Sequence, residues 1–311
     1  MSRPAQQKIA PPKKDLDAVL VLYKPSGPTS TDCLNQIKRL LGRVKIGHAG
    51  TLDPLAQGVL VVLFGTATKI APYVTSGEKT YRGRLLLGVS TDTYDIQGAV
   101  TARASVEGLT PEQIRAEVLA WTGTFDQEVP GYSAAKHQGK PLYELARAGL
   151  ETPVKVKPVT VYEAQILEVD LPRVSFRVRC SAGTYIRSLV HSLGTRLGCG
   201  ATLEELVREA SQPFTASMAL PLEDILARPE ILEQRLIPLE DALPHWTRVV
   251  LDEEGEKLVR NGAWLPVSRT GITAKEGDFA LLLGADGKAL ALAEAKDRDR
   301  DRKWSILRGL W

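Results

Sequence analysis

Two six-residue runs without a charged or amide side chain, Ala18–Tyr23 (AVLVLY) and Val59–Phe64 (VLVVLF), constrain this chain more than any other feature. Each is bounded by turn formers. KPSGPTST follows the first, and the glycine-rich stretch GHAGTLDPLAQG leads into the second. Short apolar segments dense in β-branched residues and closed by Gly, Pro and Ser read as buried strands. At six residues they fall far short of the ~20 needed to cross a bilayer.

Other segments extend the pattern. Thr29 or Ser30 can cap a helix in which Leu34, Ile37 and Leu41 share one face. Lys79 to Val89 begins with alternation and turns apolar, as a strand entering a core does. Thr110 and Gln113 form a capping box with Pro111 at the first helical position, ahead of Ile114, Val118 and Trp121. Arg173–Cys180 alternates cleanly and predicts a half-buried strand. A second capping box, Thr202 and Glu205, predicts a helix containing Leu206. With no regular βαβ beat, the expected class is α+β, with a mixed, mostly antiparallel sheet flanked by helices.

From Pro213 to Pro244 the chain is rich in Leu, Glu and Pro and reads as helix and linker. Beyond it comes a separate strand-rich unit: a short helix from Asp252 to Asn261-Gly262, then strands near Phe279–Leu283, Ala289–Ala293 and Trp304–Leu307. The charge-alternating run 296–303 (KDRDRDRK) reads as a solvated hairpin tip. At 311 residues, roughly two domains are expected.

Composition narrows the chemistry. The three cysteines form no CxxC pair and the four histidines are scattered, which argues against a zinc module and fits a reducing, cytoplasmic setting. The opening segment has no apolar core of a secretory signal; it carries Arg3, Lys8, Lys13 and Lys14 without an acid, a solvated basic tail or an arm for phosphates. The net charge of +3 by itself selects no partner.

The segment 47–60 (GHAGTLDPLAQGVL) concentrates unusual residues. Its glycines let a backbone approach a ligand closely, and His48, Thr51 and Asp53 stand on it. Asp53-Pro54 is equally an ordinary turn starter. Four blocks, however, occur together and in order: KPSGPTS (24–30), GHAGTLDPLAQGVL (47–60), EKTYRG (78–83) and CSAGTYIRSLVHSLG (180–194). Together they resemble the TruB family of tRNA pseudouridine-55 synthases, whose wider circle includes RNA-guided catalytic subunits related to dyskerin. The resemblance runs from about Val19 to Pro213, and the C-terminal unit resembles a small PUA-like RNA-binding barrel.

The resemblance implies a layout and a set of roles. A basic tail (1–15) precedes a synthase domain (16–240), with an insertion at about 124–152 that closes on RNA, followed by a PUA-like domain (245–311). Asp53 matches the catalytic aspartate and Arg187 the arginine that keeps it ionised; Tyr81 matches a tyrosine that stacks on the target base. His48 matches a histidine that helps to expel that base, Tyr185 and Leu206 pack around the pocket, and Lys24 supports the active-site loop. Lys136, Lys140 and Arg147 in the insertion are candidates for phosphate contacts. One departure stands out: relatives carry a basic residue after the Leu206 position, where this chain has Val207 and then Arg208.

Pseudouridine formation breaks a C1′–N1 bond and rejoins the base through C5. It needs no oxidant and no energy source, so no cofactor and no metal is expected. Glycoside hydrolysis uses two carboxylates and a managed water, so one loop aspartate without an acidic partner nearby in sequence suits isomerisation better. The expected substrate is the T-stem-loop of tRNA, acted on by a monomer without an obligate protein partner or a membrane. Rival readings are an RNA-guided synthase subunit and an RNA chaperone or binding protein without catalysis.

Overall fold

The computed structural model describes residues 16–311 apart from 134, 149, 151 and 152, and gives the backbone alone at Lys136, His137, Pro141, Tyr143 and Arg147. The basic segment 1–15 lies outside the described residues.

The two apolar runs pair with each other. Strand Ala18–Lys24 lies antiparallel to Gln57–Phe64, with Leu20 opposite Val62. They belong to a mixed sheet whose order is Leu220–Pro221, Ala18–Lys24, Gln57–Phe64, Ala201–Ser211, Lys79–Leu87, Arg173–Cys180, Val156–Asp170 and Gly123–Glu128. All neighbours on this path are antiparallel except two pairs, Ala18–Lys24 with Leu220–Pro221 and Ala201–Ser211 with Gln57–Phe64. The expected class holds.

Why these runs lack polar residues follows from the pleat. Successive side chains point to opposite faces, so Leu20, Leu22, Leu60 and Val62 enter one core while Val19, Val21, Val61 and Leu63 enter another. The first core is roofed by the helices Ser30–Leu41, Pro111–Leu119 and Ile186–Arg196, which contribute Ile37, Val118 and Val190. Both capping boxes at their starts, Thr29 with Asp32 and Thr110 with Gln113, are formed. The second core is closed from behind by the C-terminal unit, through Leu281, Leu283, Leu292, Leu310 and Trp246. That unit is a curled five-stranded sheet ordered Thr247–Val250, Phe279–Leu283, Ala289–Arg298, Asp301–Gly309 and Leu265–Pro266, with the helix Glu253–Arg260 beside it. The charged run 296–303 forms its hairpin tip, with Asp299 and Arg300 in the left-handed region.

Two expectations fail. The segment opened by Thr202 and Glu205 is not a helix but the strand Ala201–Ser211. The Thr202 hydroxyl meets that of Thr91 at 3.0 Å and caps no helix. Glu204 pairs with Arg84 and Arg173 across the sheet, so its helix propensity yields to tertiary contacts. Register shifts at 203/205 and 208/210 scramble the period of two and hide the strand from pattern reading. The segment 213–244 holds a helix as expected, Leu222–Ala227, but it is not a linker. Leu220–Pro221 and Ile237–Pro238 both pair with strand Ala18–Lys24, and Leu222, Ile225 and Leu232 enter the first core.

Candidate active site

Three buried side chains hold the loop between the strands Ile46–Ala49 and Gln57–Phe64. Lys24, at the end of the first strand, is fully buried, and its Nζ donates to the carbonyls of Pro25 (2.9 Å), Pro54 (3.2 Å) and Ala56 (2.7 Å). Burial lowers its pKa to about 8. The Ser30 hydroxyl accepts from the Leu52 N–H at 3.0 Å and donates to the Leu52 carbonyl at 3.1 Å. Arg208 is 1% exposed; its guanidinium donates to the carbonyls of Val59 (2.7 Å), Gly50 (2.8 Å) and Thr51 (3.4 Å). The loop is therefore gripped on both sides of Asp53: at 50 and 51 by Arg208, at 52 by Ser30, and at 54 and 56 by Lys24.

Arg208 reaches the loop because its strand runs parallel to Gln57–Phe64, with Arg208 opposite Gly58. Gly58 has φ of 98°, and a Cβ there would lie 2.3 Å from the Arg208 carbonyl oxygen. Only glycine satisfies both the backbone angle and the close approach.

Asp53 projects from this loop toward Arg187, whose Nε stands 2.9 Å from Asp53 Oδ2. The N–H does not point along that line, so the contact is an ion pair without hydrogen-bond alignment. The two partners differ in burial: the arginine side chain is 5% exposed and the carboxylate 39%. A buried cation thus presents an accessible anion, which is what a carboxylate that must stay charged and reach a substrate requires. Arg187 lies in the first turn of helix Ile186–Arg196, and its remaining nitrogens donate to the carbonyls of Thr93 and Tyr132, each at 2.9 Å. A second carboxylate, Asp95, approaches it at 3.5 Å. Burial pushes the Asp95 carboxyl pKa upward, opposed by Arg187.

These groups open onto a cavity of about 320 Å³ lined by Asp53, Lys79, Tyr81, Tyr185, Arg187, Leu206 and Arg208, among others. That volume falls in the range of small-ligand sites. Tyr81 sits on strand Lys79–Leu87 between Val178 and Arg208, and burial raises its phenol pKa. Lys79, nearly buried, donates to the carbonyls of Thr75 and Gly77, each at 2.7 Å, and burial lowers its pKa to about 8. Tyr185, the N-cap of the Arg187 helix, is fixed by Gln127, which accepts from its N–H at 2.7 Å and donates to its carbonyl at 3.0 Å. Leu206 faces the cavity from a strand rather than from the expected helix.

The remaining candidates lie further out. His48 is on strand Ile46–Ala49, before the cavity wall begins at Gly50; burial lowers its pKa, and its Nδ1 has no hydrogen-bond partner among the described residues. Lys140 is exposed on a short hairpin formed by Lys136–His137 and Lys140–Pro141. Arg147 ends the helix Leu142–Arg147, and the side chains of Lys136 and Arg147 lie outside what is described. The segment expected to form the insertion touches the site: Ala135 lines the cavity, and the Tyr132 carbonyl accepts from Arg187.

Sequence reasoning passed over Ser30, Asp95 and Gln127, each of which is unremarkable in its own segment. Arg208 stood in view, but the helix assigned around it hid its direction. Among the described residues, no group of three or more His, Cys, Asp or Glu is placed to hold a metal ion.

Comparisons with known proteins agree with the geometry. Residues 38–186 match the family model "TruB family pseudouridylate synthase (N terminal domain)", and residues 187–244 match "tRNA pseudouridylate synthase B C-terminal domain". The chain is 53% identical over 297 residues to tRNA pseudouridine synthase B of Nitratidesulfovibrio vulgaris (strain Miyazaki F), covering 94% of this chain and 96% of the relative. It is 40% identical over 276 residues to the protein of the same name from Thermotoga maritima, covering 88% of each. Among solved structures it is similar to one described as a Cbf5-Nop10-Gar1 complex, with a TM-score of 0.73, 26% identity, and coverage of 94% of this chain and 85% of that one. The Asp53–Arg187 cavity and the sheet that builds it thus lie within the matched length, and the chain belongs to the TruB family of pseudouridine synthases.

Proposed function

We propose that this chain isomerises uridine 55 in the T-loop of tRNA to pseudouridine, with Asp53 as the carboxylate that acts on the flipped nucleotide. The observation that carries the reading is the accessible Asp53 carboxylate held against buried Arg187 at the mouth of a cavity walled by Tyr81 and Leu206. A stacked uridine cannot be reached in place, and flipping it costs a few kcal/mol. Phosphate contacts supply affinity for that step; Lys136, Lys140 and Arg147 of the insertion are proposed for it. His48 fills the space that the base leaves. Tyr81 lies against the uracil. Its phenol, with a pKa raised by burial, is neutral at physiological pH, so it acts as a surface and a hydrogen-bonding group rather than as an anion. The C1′–N1 bond breaks, the base turns, and C5 bonds to C1′; C5 loses a proton and N1 gains one, so composition is unchanged. Tyr185 and Leu206 shape the cavity and Lys24 supports the loop.

In this reading residues 16–240 form the synthase domain and 245–311 a PUA-like RNA-binding domain. The enzyme works in the cytoplasm as a monomer on bare tRNA, without an added cofactor or a protein partner. The test is release of tritium from C5-labelled uridine in unmodified tRNA by the purified chain. Wild-type protein should convert the substrate, whereas Asp53→Asn should lose isomerisation and keep RNA binding. A requirement for a guide RNA would favour the RNA-guided alternative. Full activity in Asp53→Asn would overturn the assignment of that residue.

A further inference from the structure

One stacked ring pair lies outside the Asp53 cavity. Tyr94 has φ of 63°, in the left-handed region that residues with a Cβ enter only at an energetic cost. Its phenol lies flat on the imidazole of His191, with centroids 3.8 Å apart and planes 11° from parallel. The chain neighbours of Tyr94 are the two residues that hold Arg187 from behind: the Thr93 carbonyl accepts from it at 2.9 Å, and Asp95 Oδ2 stands at 3.5 Å. His191 lies one turn beyond Arg187 on the same helix. The turn is also anchored on its other side, where the Leu203 N–H donates to the Tyr94 carbonyl at 3.0 Å and the Ile96 N–H donates to the Leu203 carbonyl at 2.9 Å.

We propose that Tyr94 and His191 are positioning residues for the Asp53–Arg187 pair, their stack holding the 92–97 turn in the strained form that presents Thr93 and Asp95 to Arg187. The turn meets the Arg187 helix at two places: directly at Arg187, and through the rings. Removing either ring leaves the left-handed residue without that compensation, and the turn relaxes away from the guanidinium. The rings line an open cleft of about 630 Å³ beside the helix. Truncating them therefore enlarges a solvated space rather than a core. The inference rests on the reading that the Asp53–Arg187 pair carries the reaction.

The test separates chemistry from binding with single-turnover tritium release across a range of tRNA concentrations. For Tyr94→Ala and His191→Ala, the saturating rate should fall about 3–10-fold, the effect of losing one stacked aromatic contact, with half-saturation unchanged. Tyr94→Phe and His191→Phe preserve the stack and should recover most of the rate. Tyr94→Gly should fall less than Tyr94→Ala, because glycine holds the left-handed angle without a stack. Thermal melts should place every variant near wild type. Wild-type rates in both alanine variants, a loss confined to half-saturation, or no recovery with phenylalanine would each overturn the proposal. Asp53→Asn in the same assay keeps the two readings apart: if it is inactive, the underlying assignment stands whatever the ring variants do.

Discussion

Replacing Arg208 with methionine should leave the protein folded and nearly inactive. Two opposing terms set the stability change. The guanidinium is 1% exposed, and its nitrogens donate to main-chain carbonyls rather than to a carboxylate. Its loss deprives the Val59 and Gly50 carbonyls of short donors, about 1–3 kcal/mol each where no water replaces the donor. Against that, an unpaired buried cation costs several kcal/mol of desolvation, which methionine removes. The Gly50 carbonyl borders the cavity, where water can take over. The net change should be about 0–2 kcal/mol, within a few degrees of melting temperature for a chain of this size. Activity has no such compensation. With Gly50 and Thr51 released, the Asp53 loop loses its side-chain grip at those two positions and keeps Ser30 and Lys24, and misplacement by about 1 Å costs on the order of 100-fold. Single-turnover tritium release should therefore drop about 100-fold at saturating tRNA, with half-saturation little changed. Arg208→Lys keeps the charge but cannot span three carbonyls, and should fall between. A rate within about threefold of wild type, or a protein destabilised beyond about 4 kcal/mol, would refute this reasoning.

Three further outcomes follow from the geometry. Asp95→Asn keeps the acceptor for the Thr93 hydroxyl and the Gln97 N–H but removes the second charge on Arg187. It should lower the saturating rate about 10–100-fold, and a KM effect alone would count against the network. Lys79 has its pKa lowered from 10.5 to about 8 by burial, so above pH 8 the unfolded chain binds more protons there than the folded one. Stability from this group should rise with pH, by at most about 2 kcal/mol between pH 7.5 and 9.5 in urea unfolding; Lys79→Met should show a smaller rise than wild type, keeping the share that Lys24 supplies, and an equal slope in the variant would remove Lys79 as a source. Gly58→Ala places a Cβ 2.3 Å from the Arg208 carbonyl oxygen at φ of 98°, and should lower stability by about 2–4 kcal/mol in a thermal melt.

Legibility in the sequence followed the range of the forces involved. Strands covered on both faces wrote themselves as unbroken apolar runs, and Ala18–Lys24 and Gln57–Phe64 were readable for that reason. The Thr110–Gln113 capping box was readable too, since it is a local hydrogen-bond exchange, whereas the choice between Thr29 and Ser30 as the first cap fell to Thr29 through its exchange with Asp32. The same signature misled at Thr202 and Glu205. There Thr202 bonds to Thr91, and the glutamates meet arginines on neighbouring strands, with Glu205 paired to Arg84. Local propensity could not reveal those partners, which stand 111 and 121 residues away in Thr91 and Arg84. The segment 213–244 looked like a linker because its strands Leu220–Pro221 and Ile237–Pro238 are only two residues long and pair with a strand at the other end of the chain.

The order of apolar runs, turn formers and motif blocks determined by itself that this chain builds a mixed sheet with helices, that it carries the TruB pattern, and that Asp53 stands on a loop free to meet a ligand. Only the folded chain decided how that loop is aimed. Lys24 and Ser30 from one block and Arg208 from a strand far downstream converge on its backbone; Arg187 is drawn against Asp53 while Thr93, Asp95 and Tyr132 hold it from behind. A buried cation gripping backbone oxygens leaves no periodic trace in the sequence, because its partners are atoms that every residue possesses, and only the approach of the strands selects which of them it meets.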